Sequence, residues 1–454
     1  MLAHCEDRSL TRGGLIHEGE VSGQLRVPGV PAAAEDVGTA RELSLALSLN
    51  ASVHVCHVSI AFAAAKARDV LGMLPDRTVV ECSGNIIKNV KGVIVPATKN
   101  LRGMEAAAII GIVGGDPSKG LEVLSGVSER HLAVAKEWLS RGVCETKWLD
   151  SPAKLHIIAR LFAGEHSAMV EIIHSHTNIV HVEKDGKVLT DIPHSEEEDS
   201  QQTDYDCLNI SDICDFARTV KIDDVKEILD RQIQNNTSIS QEGLKNSYGA
   251  CVGKTLIDAY GSDIEVRARA AAAAGSDARM SGCELPVVIN SGSGNQGMTV
   301  SLPVIEYAGE LRVGQEKLYR ALCISNLTAI HIKSRMGRLS AFCGAVSAAA
   351  GAGAAIAYLK GGDEAVISQT IVNTLGNVSG IVCDGAKPSC AAKIASSLDA
   401  AILGCAMAMK QRGFRPEEGL IKPTIEETIA SITRMAKDGM QTTDEEILRI
   451  MVGA

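Results

Sequence analysis

The sequence predicts an α+β domain followed by an all-helical domain. β-strand patterns are confined to the first 200 residues, where apolar and alternating runs start at Thr78 and recur between 154 and 189. The acidic, polar run SEEEDSQQTDYD at 195–206 is typical of a linker. Beyond it, nearly every segment has the length and apolar periodicity of a helix. Together these patterns place the α+β part before the linker and the helical part after it.

Composition limits the class of protein. At 454 residues the chain is long enough for two domains with full cores. A net charge of −10 without a basic patch argues against nucleic acid or a membrane as partner. Thirteen cysteines, an odd number without regular short spacings, indicate reduced thiols in a cytosol rather than a disulfide framework. Residues 1–15 lack the apolar core of a signal peptide, so we expect a cytoplasmic protein.

The N-terminal half divides into two parts. Residues 1–50 show neither helical nor strand periodicity and are predicted to be an irregular extension. Residues 51–200 are predicted to form the α+β domain. Helical character begins near Thr39 and continues past Cys56. The later elements are predicted as β-structure at 78–90 and 92–98, helices at 103–113 and 119–142, and three or four strands at 154–189 with a hairpin turn at 184–186.

Residues 206–454 are predicted to form the helical domain. Its expected helices are 208–234, 240–274, 314–331, 338–359, 363–376, 388–411 and 423–437. The stretch 341–359 is long enough to cross a membrane, but Ala and Gly dominate it in place of Leu and Ile. We therefore interpret it as a buried helix.

Three cysteines in this helical part, Cys343, Cys383 and Cys390, lie in almost entirely small or apolar sequence. Within CDGAKPSC, Asp384-Gly385 predicts a turn and Pro388 suits the first turn of a new helix. Cys390 would then lie at a helix N-terminus, which lowers a thiol pKa. The pattern favours a soft metal centre, and buried structural cysteines are the alternative.

A glycine-rich loop, SGSGNQG at 291–297, lies between an apolar strand-like run and a helix. Successive backbone N–H groups in such a loop can bind an anion, and the helix start adds to this. The segment GACVGKT at 249–255 nearly matches a phosphate-binding loop. It has Tyr248 where the first glycine is required and follows a helix rather than a strand, so we reject that interpretation.

Several polar residues are weaker candidates. His174 and His176 lie two apart in a predicted strand, where hydrogen-bonded histidines are the more ordinary interpretation than a metal pair. Cys283, next to the glycine-rich loop, is a candidate fourth thiolate or substrate neighbour. Lys387 is a candidate for binding a carboxylate, with Lys333, Arg335 and Arg338 as rivals.

The chain from about Cys56 onwards resembles the L-cysteine desulfidase family, relatives of the iron–sulfur-dependent L-serine dehydratases. The resemblance rests on GRLSAFCGA (337–345), GIVCDGAKPSCAAKIA (380–395), SGCELPVVINSGSGNQGMTVSLPV (281–304), SGNIIKNVKGVIVPAT (83–98) and HTNIVHVEKDGKV (176–188). It implies a [4Fe–4S] cluster on Cys343, Cys383 and Cys390, with one iron open to substrate.

The resemblance also implies the other site residues. Cys56 would be the catalytic base, as a thiolate, and His176 with Asn178 would lie near the substrate. The substrate-binding residues would be Ser291, Gly292, Ser293, Gly294, Asn295, Gln296 and Lys387. The family has Cys-Thr-Glu-Pro where this chain has Cys56-His57-Val58-Ser59. An imidazolium at His57 is expected to compensate in part by favouring the thiolate.

The function that the resemblance implies is β-elimination from a small amino acid, with L-cysteine giving pyruvate, ammonia and hydrogen sulfide. L-Serine is the rival substrate. A non-catalytic iron–sulfur protein is the alternative of another class, and the altered run after Cys56 is its support. The expected partner is a small-molecule amino acid, and the sequence leaves a homo-oligomer open.

Overall fold

The computed structural model describes residues 16–17, 29–30 and 55–453, except 154, 196–204, 206, 284 and 337–339. The chain forms two compact units, Met1–Val53 and His54–Ala454. In the first, strands β1 (Ile16–His17) and β2 (Gly29–Val30) pair in parallel. The rest of the predicted extension, and the predicted helix start near Thr39, lie outside the described residues. All elements below belong to the second unit.

Six strands form one sheet in the order β4-β3-β5-β6-β7-β8. They are β3 (Arg77–Ser83), β4 (Cys144–Leu149), β5 (His156–Ala163), β6 (His166–Ile173), β7 (Ile179–Lys184) and β8 (Lys187–Asp191). β3 and β4 pair in parallel, and every other neighbouring pair is antiparallel. Between β7 and β8, Asp185 and Gly186 both have positive φ, which gives the tight hairpin turn that the sequence predicts.

Four α-helices accompany the sheet. They are α1 (Val55–Leu71), α2 (Gly84–Val90), α3 (Gly103–Gly114) and α4 (Glu129–Arg141), with a 3₁₀ turn at Pro117–Glu122. The prediction of β-structure through residue 90 is wrong, because β3 ends at Ser83 and α2 follows. The predicted helix 119–142 is also shorter, since the capping box of Ser128 and His131 starts α4 at Glu129.

The remaining chain is helical. Its helices are α5 (Ile210–Thr219), α6 (Ile222–Lys245), α7 (Val252–Tyr260), α8 (Ile264–Met280), α9 (Gly294–Glu310), α10 (Gln315–Ser334), α11 (Gly344–Leu359), α12 (Glu364–Val378), α13 (Cys390–Ala408), α14 (Ile425–Arg434) and α15 (Gln441–Val452), with a π-helical turn at Met435–Gly439. The fold class is therefore confirmed. The predicted helix 208–234 is divided at Val220, whose backbone is extended. The predicted helix 240–274 is divided at Gly249 and Gly261, which have positive φ.

The helical region is built around α8, α9, α11 and α13. α8 packs against α9 and α13, and α11 packs against the same two helices. Small residues allow close approach: a Cβ on Gly351 of α11 would lie 2.3 Å from the backbone oxygen of Ser325 in α10. α11 is almost fully buried, as expected for 341–359. By length and composition α13 could span a membrane, although half of its apolar window is buried inside the protein.

The C-terminal helix α15 returns to the α/β region, a packing that the sequence does not predict. Leu448 of α15 packs into the apolar core there and contacts Gly84 at the start of α2. Lys88 of α2 and Asp444 of α15 form a buried ion pair. α2 thereby joins the first part of the unit to its last helix.

Candidate active site

A short antiparallel pairing brings two of the three cysteines together. Phe342 and Val382 form an isolated bridge. On either side of it, the N–H of Cys343 donates to the carbonyl of Ile381 at 3.0 Å, and the N–H of Cys383 donates to that of Ala341 at 2.5 Å. The two thiols are hydrogen-bonded to each other. Backbone pairing thus brings together two cysteines that are separated by residues 344–382 of the chain.

The third cysteine, Cys390, is the first residue of α13 and lies within electrostatic reach of Cys343 and Cys383. Its Sγ is 3.4 Å from the carbonyl oxygen of Gly385. In the part of the chain that the structure describes, no three His, Cys, Asp or Glu side chains surround one point as ligands of a single ion. The three thiols come from three segments of the chain and lie near one another, but they do not form a closed tetrahedral metal site.

A backbone N–H near each of these thiols favours its thiolate form: that of Ala345 at Cys343, that of Gly385 at Cys383 and that of Lys387 at Cys390. The hydrogen bond from Cys343 is the largest influence that lowers the pKa of Cys383, to about 5. The same bond, with burial, raises the pKa of Cys343. The predicted lowering at Cys390 is wrong: burial outweighs the helix start and raises its pKa.

Positive charges surround the cysteine loop. Asp384 forms ion pairs with Lys387, at 3.0 Å, and with Lys393. Lys88 and Lys333 act electrostatically on Cys383. Lys387 is therefore held by a carboxylate of its own loop, and the rival Arg338 lies outside the described residues. A centre carrying net negative charge would be stabilised in these surroundings.

The glycine-rich loop makes a tight turn before α9. The N–H groups of Asn290 and Ser293 each donate to the other residue's carbonyl, at 3.1 and 3.0 Å. Between them Ser291 and Gly292 both have positive φ, at 49° and 77°. The Ser293 side chain accepts from the N–H of Gln296 and so caps α9. The first N–H groups of α9, at Gly294 and Asn295, have no partner within the helix.

Gln296 joins this loop to the cysteines. A Cβ on Gly344, the residue after Cys343, would lie 2.6 Å from the Gln296 amide carbon. The Gln296 side chain is 7% exposed, and its Oε1 has no hydrogen-bond partner in the described part of the chain. The structure thus brings together the three cysteines and the loop that the sequence selects separately. Their chemical roles stay predictions.

Arg279, near the end of α8, is at the same place and was not predicted. Its Nη1 donates to Oδ1 of Asn295 at 3.2 Å, and it interacts electrostatically with Cys390. A Cβ on Gly294 would lie 2.5 Å from its Nε. Burial lowers its pKa to about 10. The signal in the sequence is a basic residue that ends the run of small residues AAAAAGSDARM at 270–280.

The first turn of α1 lies beside α2. Cys56 is in that turn, and only its backbone is described. The Nε2 of His57 is 3.1 Å from the carbonyl oxygen of Val90, and burial lowers the pKa of His57 to about 4. The expectation of an imidazolium beside Cys56 is therefore wrong, because His57 is neutral near pH 7. The carbonyl of Lys88, two residues before Val90, is against Gly385 of the cysteine loop.

The HTN segment (176–178) lies against α1. Ser59 of α1 is hydrogen-bonded to Nδ1 of His176 at 2.8 Å. Asn178 instead donates to the carbonyl of Ile173 at 3.0 Å, within its own turn. Burial lowers the pKa of His176 to about 4, so it too is neutral. His176 thus contacts α1 at Ser59, three residues beyond Cys56 in the chain.

The other candidates have ordinary partners. His174 Nε2 is 2.5 Å from the carbonyl oxygen of Ser195, and the Cys283 thiol is hydrogen-bonded to Tyr248. In the segment 249–255, the N–H of Gly253 donates to Oδ2 of Asp277 at 2.9 Å. A carboxylate of the protein itself occupies that helix start.

Comparison with known proteins identifies the family. The serine dehydratase alpha chain family matches residues 118–449, which include the three cysteines, the glycine-rich loop and Arg279. The chain belongs to this family. A UPF0597 protein of Lachnoclostridium phytofermentans is 58% identical over 395 residues, covering 87% of this chain and 94% of the relative. UPF0597 proteins of Desulfitobacterium hafniense and Treponema denticola are 51% and 49% identical, over 87% of this chain and 92% and 93% of theirs.

Membership has chemical consequences at a coarse level. Serine dehydratase alpha chains are typically iron–sulfur dependent and act as lyases on small amino acids. The donor set fits such a cluster: three neighbouring thiols, each close to a backbone N–H that favours the thiolate, among basic side chains. Hydrogen bonds to the sulfurs are one way in which a protein tunes a cluster.

Proposed function

We propose that the protein catalyses an iron–sulfur-dependent β-elimination, converting L-cysteine and water to pyruvate, ammonia and hydrogen sulfide. The observation that supports this most is the convergence of Cys343, Cys383 and Cys390 with the glycine-rich loop. Thiolate ligands then lie next to a helix start that can bind an anion. An amino-acid substrate needs both, because its leaving group would meet the metal centre while its carboxylate binds the helix start.

Cys343, Cys383 and Cys390 would hold the cluster. When bound, it supplies a Lewis-acidic iron that polarises the leaving group on the substrate β-carbon. The protein supplies the surroundings of the cluster, namely the backbone N–H groups near the three sulfurs and the charges of Lys88 and Lys393. Cys343 directly precedes α11, which is almost fully buried, and Cys390 is the first residue of α13, so both ligands lie at the starts of packed helices.

The chain's own residues bind the substrate and move its proton. The α9 N-terminus and the loop Ser291–Gln296 hold the carboxylate, which fixes the α-carbon. A base, assigned to the Cys56 thiolate, takes the α-proton while the bond from the β-carbon to sulfur breaks. That step releases hydrosulfide, which becomes hydrogen sulfide on taking the proton back from Cys56, and 2-aminoacrylate, which tautomerises to an imine. Hydrolysis of the imine gives pyruvate and ammonia.

L-Serine is the second candidate substrate, and the match to the serine dehydratase alpha chain family favours it. The same base and carboxylate site would serve, with water in place of sulfide as the leaving group. The Lewis acid suits a hydroxyl leaving group at least as well as a thiol.

The test is turnover by protein purified and reconstituted without oxygen, with L-cysteine and L-serine assayed side by side for pyruvate and sulfide. We expect turnover of L-cysteine at the higher kcat/KM. A higher value for L-serine assigns the dehydratase activity instead. Protein that retains iron and sulfide but eliminates neither amino acid would support a non-catalytic iron–sulfur protein.

A further inference from the structure

Arg279 carries a positive charge that is paired with no described carboxylate, although it interacts electrostatically with the Cys390 thiol. Among the carboxylates that the structure describes, none lies within ion-pair distance of its guanidinium, and its hydrogen bond goes to the neutral Asn295. Burial lowers its pKa to about 10, which leaves it cationic at neutral pH. A partly buried charge without a counter-ion is costly, so the site is built to receive an anion.

The groups around Arg279 favour the same ligand. Gly294 has no Cβ that would push the Nε of Arg279 away, so the guanidinium reaches the first turn of α9. The N–H groups of that turn and the helix dipole attract negative charge. Gln296, also in that turn, is 7% exposed and has an Oε1 without a partner in the described chain. This oxygen can accept a hydrogen bond from a ligand donor such as an ammonium group.

We propose that Arg279 binds the α-carboxylate of the amino-acid substrate, with Gln296 Oε1 accepting a hydrogen bond from its α-amino group. This rests on the proposed function and replaces Lys387 as the carboxylate ligand. Lys387 is already paired with Asp384 at 3.0 Å, whereas no carboxylate in the described part of the chain pairs with Arg279. A planar guanidinium also binds a carboxylate through two hydrogen bonds, which fixes its orientation. Arg279 is thus a determinant of specificity for a free α-carboxylate.

The experiment measures binding rather than turnover. L-Alanine has no leaving group on its β-carbon, so it can occupy the site without elimination, and L-alaninamide is its counterpart without the carboxylate. Calorimetric titration of the cluster-loaded wild type is compared with Arg279→Met, Arg279→Lys and Arg269→Met. Arg269 lies ten residues earlier on α8 in an exposed ion pair with Asp399 at 2.6 Å, and is the matched control.

We expect Arg279→Met to raise the Kd for L-alanine about 100-fold, and Arg279→Lys about 10-fold. Arg269→Met should bind as the wild type does. L-Alaninamide should bind the wild type about 100-fold more weakly than L-alanine, with no further loss in Arg279→Met. The comparison of the two probes on the wild type keeps the proposal open to refutation even if Arg279→Met does not fold.

Equal affinity of wild type and Arg279→Met for L-alanine overturns the proposal, as does equal affinity of the wild type for the two probes. Loss of iron from Arg279→Met, with iron retained in Arg269→Met, also overturns it, because Arg279 would then support the cluster. A further outcome is that the wild type binds L-alanine in a way that depends on Arg279 and yet eliminates neither L-cysteine nor L-serine. That result would uphold this inference and exclude the proposed function.

Discussion

The three cysteines of the site have one another as neighbours, unlike the other thiols that the structure describes. If they hold the cluster, Ser in place of Cys343, Cys383 or Cys390 should sharply reduce the ~4 irons per chain of anaerobically purified protein. Cys405→Ser is the control, because Cys405 is buried on the same helix as Cys390 but further along it. Iron and sulfide analysis of the four variants decides. Full iron content in all three site variants would exclude the assignment.

Asp277 gives the protein a measurable pH dependence. It is 1% exposed, and burial raises its pKa to about 6. The folded state then holds a proton that the unfolded chain releases, so this carboxyl's contribution to stability is present below about pH 4 and is lost as pH rises to about 6. The Asp277→Asn variant, which can still accept the N–H of Gly253, lacks this titration.

We expect the free energy of unfolding of the wild type, relative to Asp277→Asn, to fall by about 2 kcal/mol between pH 4 and pH 7. Urea unfolding of both proteins at several pH values measures the difference. Parallel pH profiles for the two proteins would show that the Asp277 pKa is not raised.

At the residue scale, the sequence selects the three cysteines and the glycine-rich loop that the structure brings together, because short motifs carry them. It does not predict Arg279, whose meaning depends on which residues the fold places around it. It is also misleading at Cys390. The helix start that favours a thiolate is visible in the sequence, while the burial that opposes it follows only from packing.

At the scale of elements, the start of α9 depends on a glycine without a side chain. A Cβ at Gly294 would lie 2.5 Å from Arg279 Nε and 2.7 Å from a methyl group of Val287. Gly294→Val should therefore raise KM at least tenfold while iron content stays unchanged, because the helix start would move away from Arg279.

Gly309→Ala, near the other end of α9, is the matched control, since a Cβ there meets no atom within 4 Å. Steady-state kinetics and iron analysis of both variants measure the effect. Normal KM in Gly294→Val would show that the loop is structural only.

The elements that the sequence mispredicts have physical causes. NIIKNV contains a pair of β-branched residues after a strand, and local propensity favours β-structure there. Packing prevails, since Ile86, Ile87 and Val90 are buried together as one face of α2. α15 is missed for another reason: its contacts are with α2, more than 350 residues away in the chain.

For the whole molecule, α2 is the element that links the site to both ends of the second unit. Its Lys88 carbonyl supports Gly385 between Cys383 and Cys390, and its Val90 carbonyl holds His57 beside Cys56. The Lys88 side chain binds Asp444 of α15. The cysteine loop is therefore positioned by contacts with residues from the beginning and the end of the unit.

The buried Lys88–Asp444 pair tests that linkage. Lys88→Met and Asp444→Leu should each lower the free energy of unfolding by about 3–5 kcal/mol, because each leaves a buried charge unpaired. The double variant should lose much less than the two single losses combined, since neither charge then remains. Lys226→Met, which removes an exposed pair with Asp230, should cost at most about 1 kcal/mol. Urea unfolding measures all four. Additive losses in the double variant would mean that the two side chains do not interact, and that α15 is held on α2 by the packing of Leu448 alone.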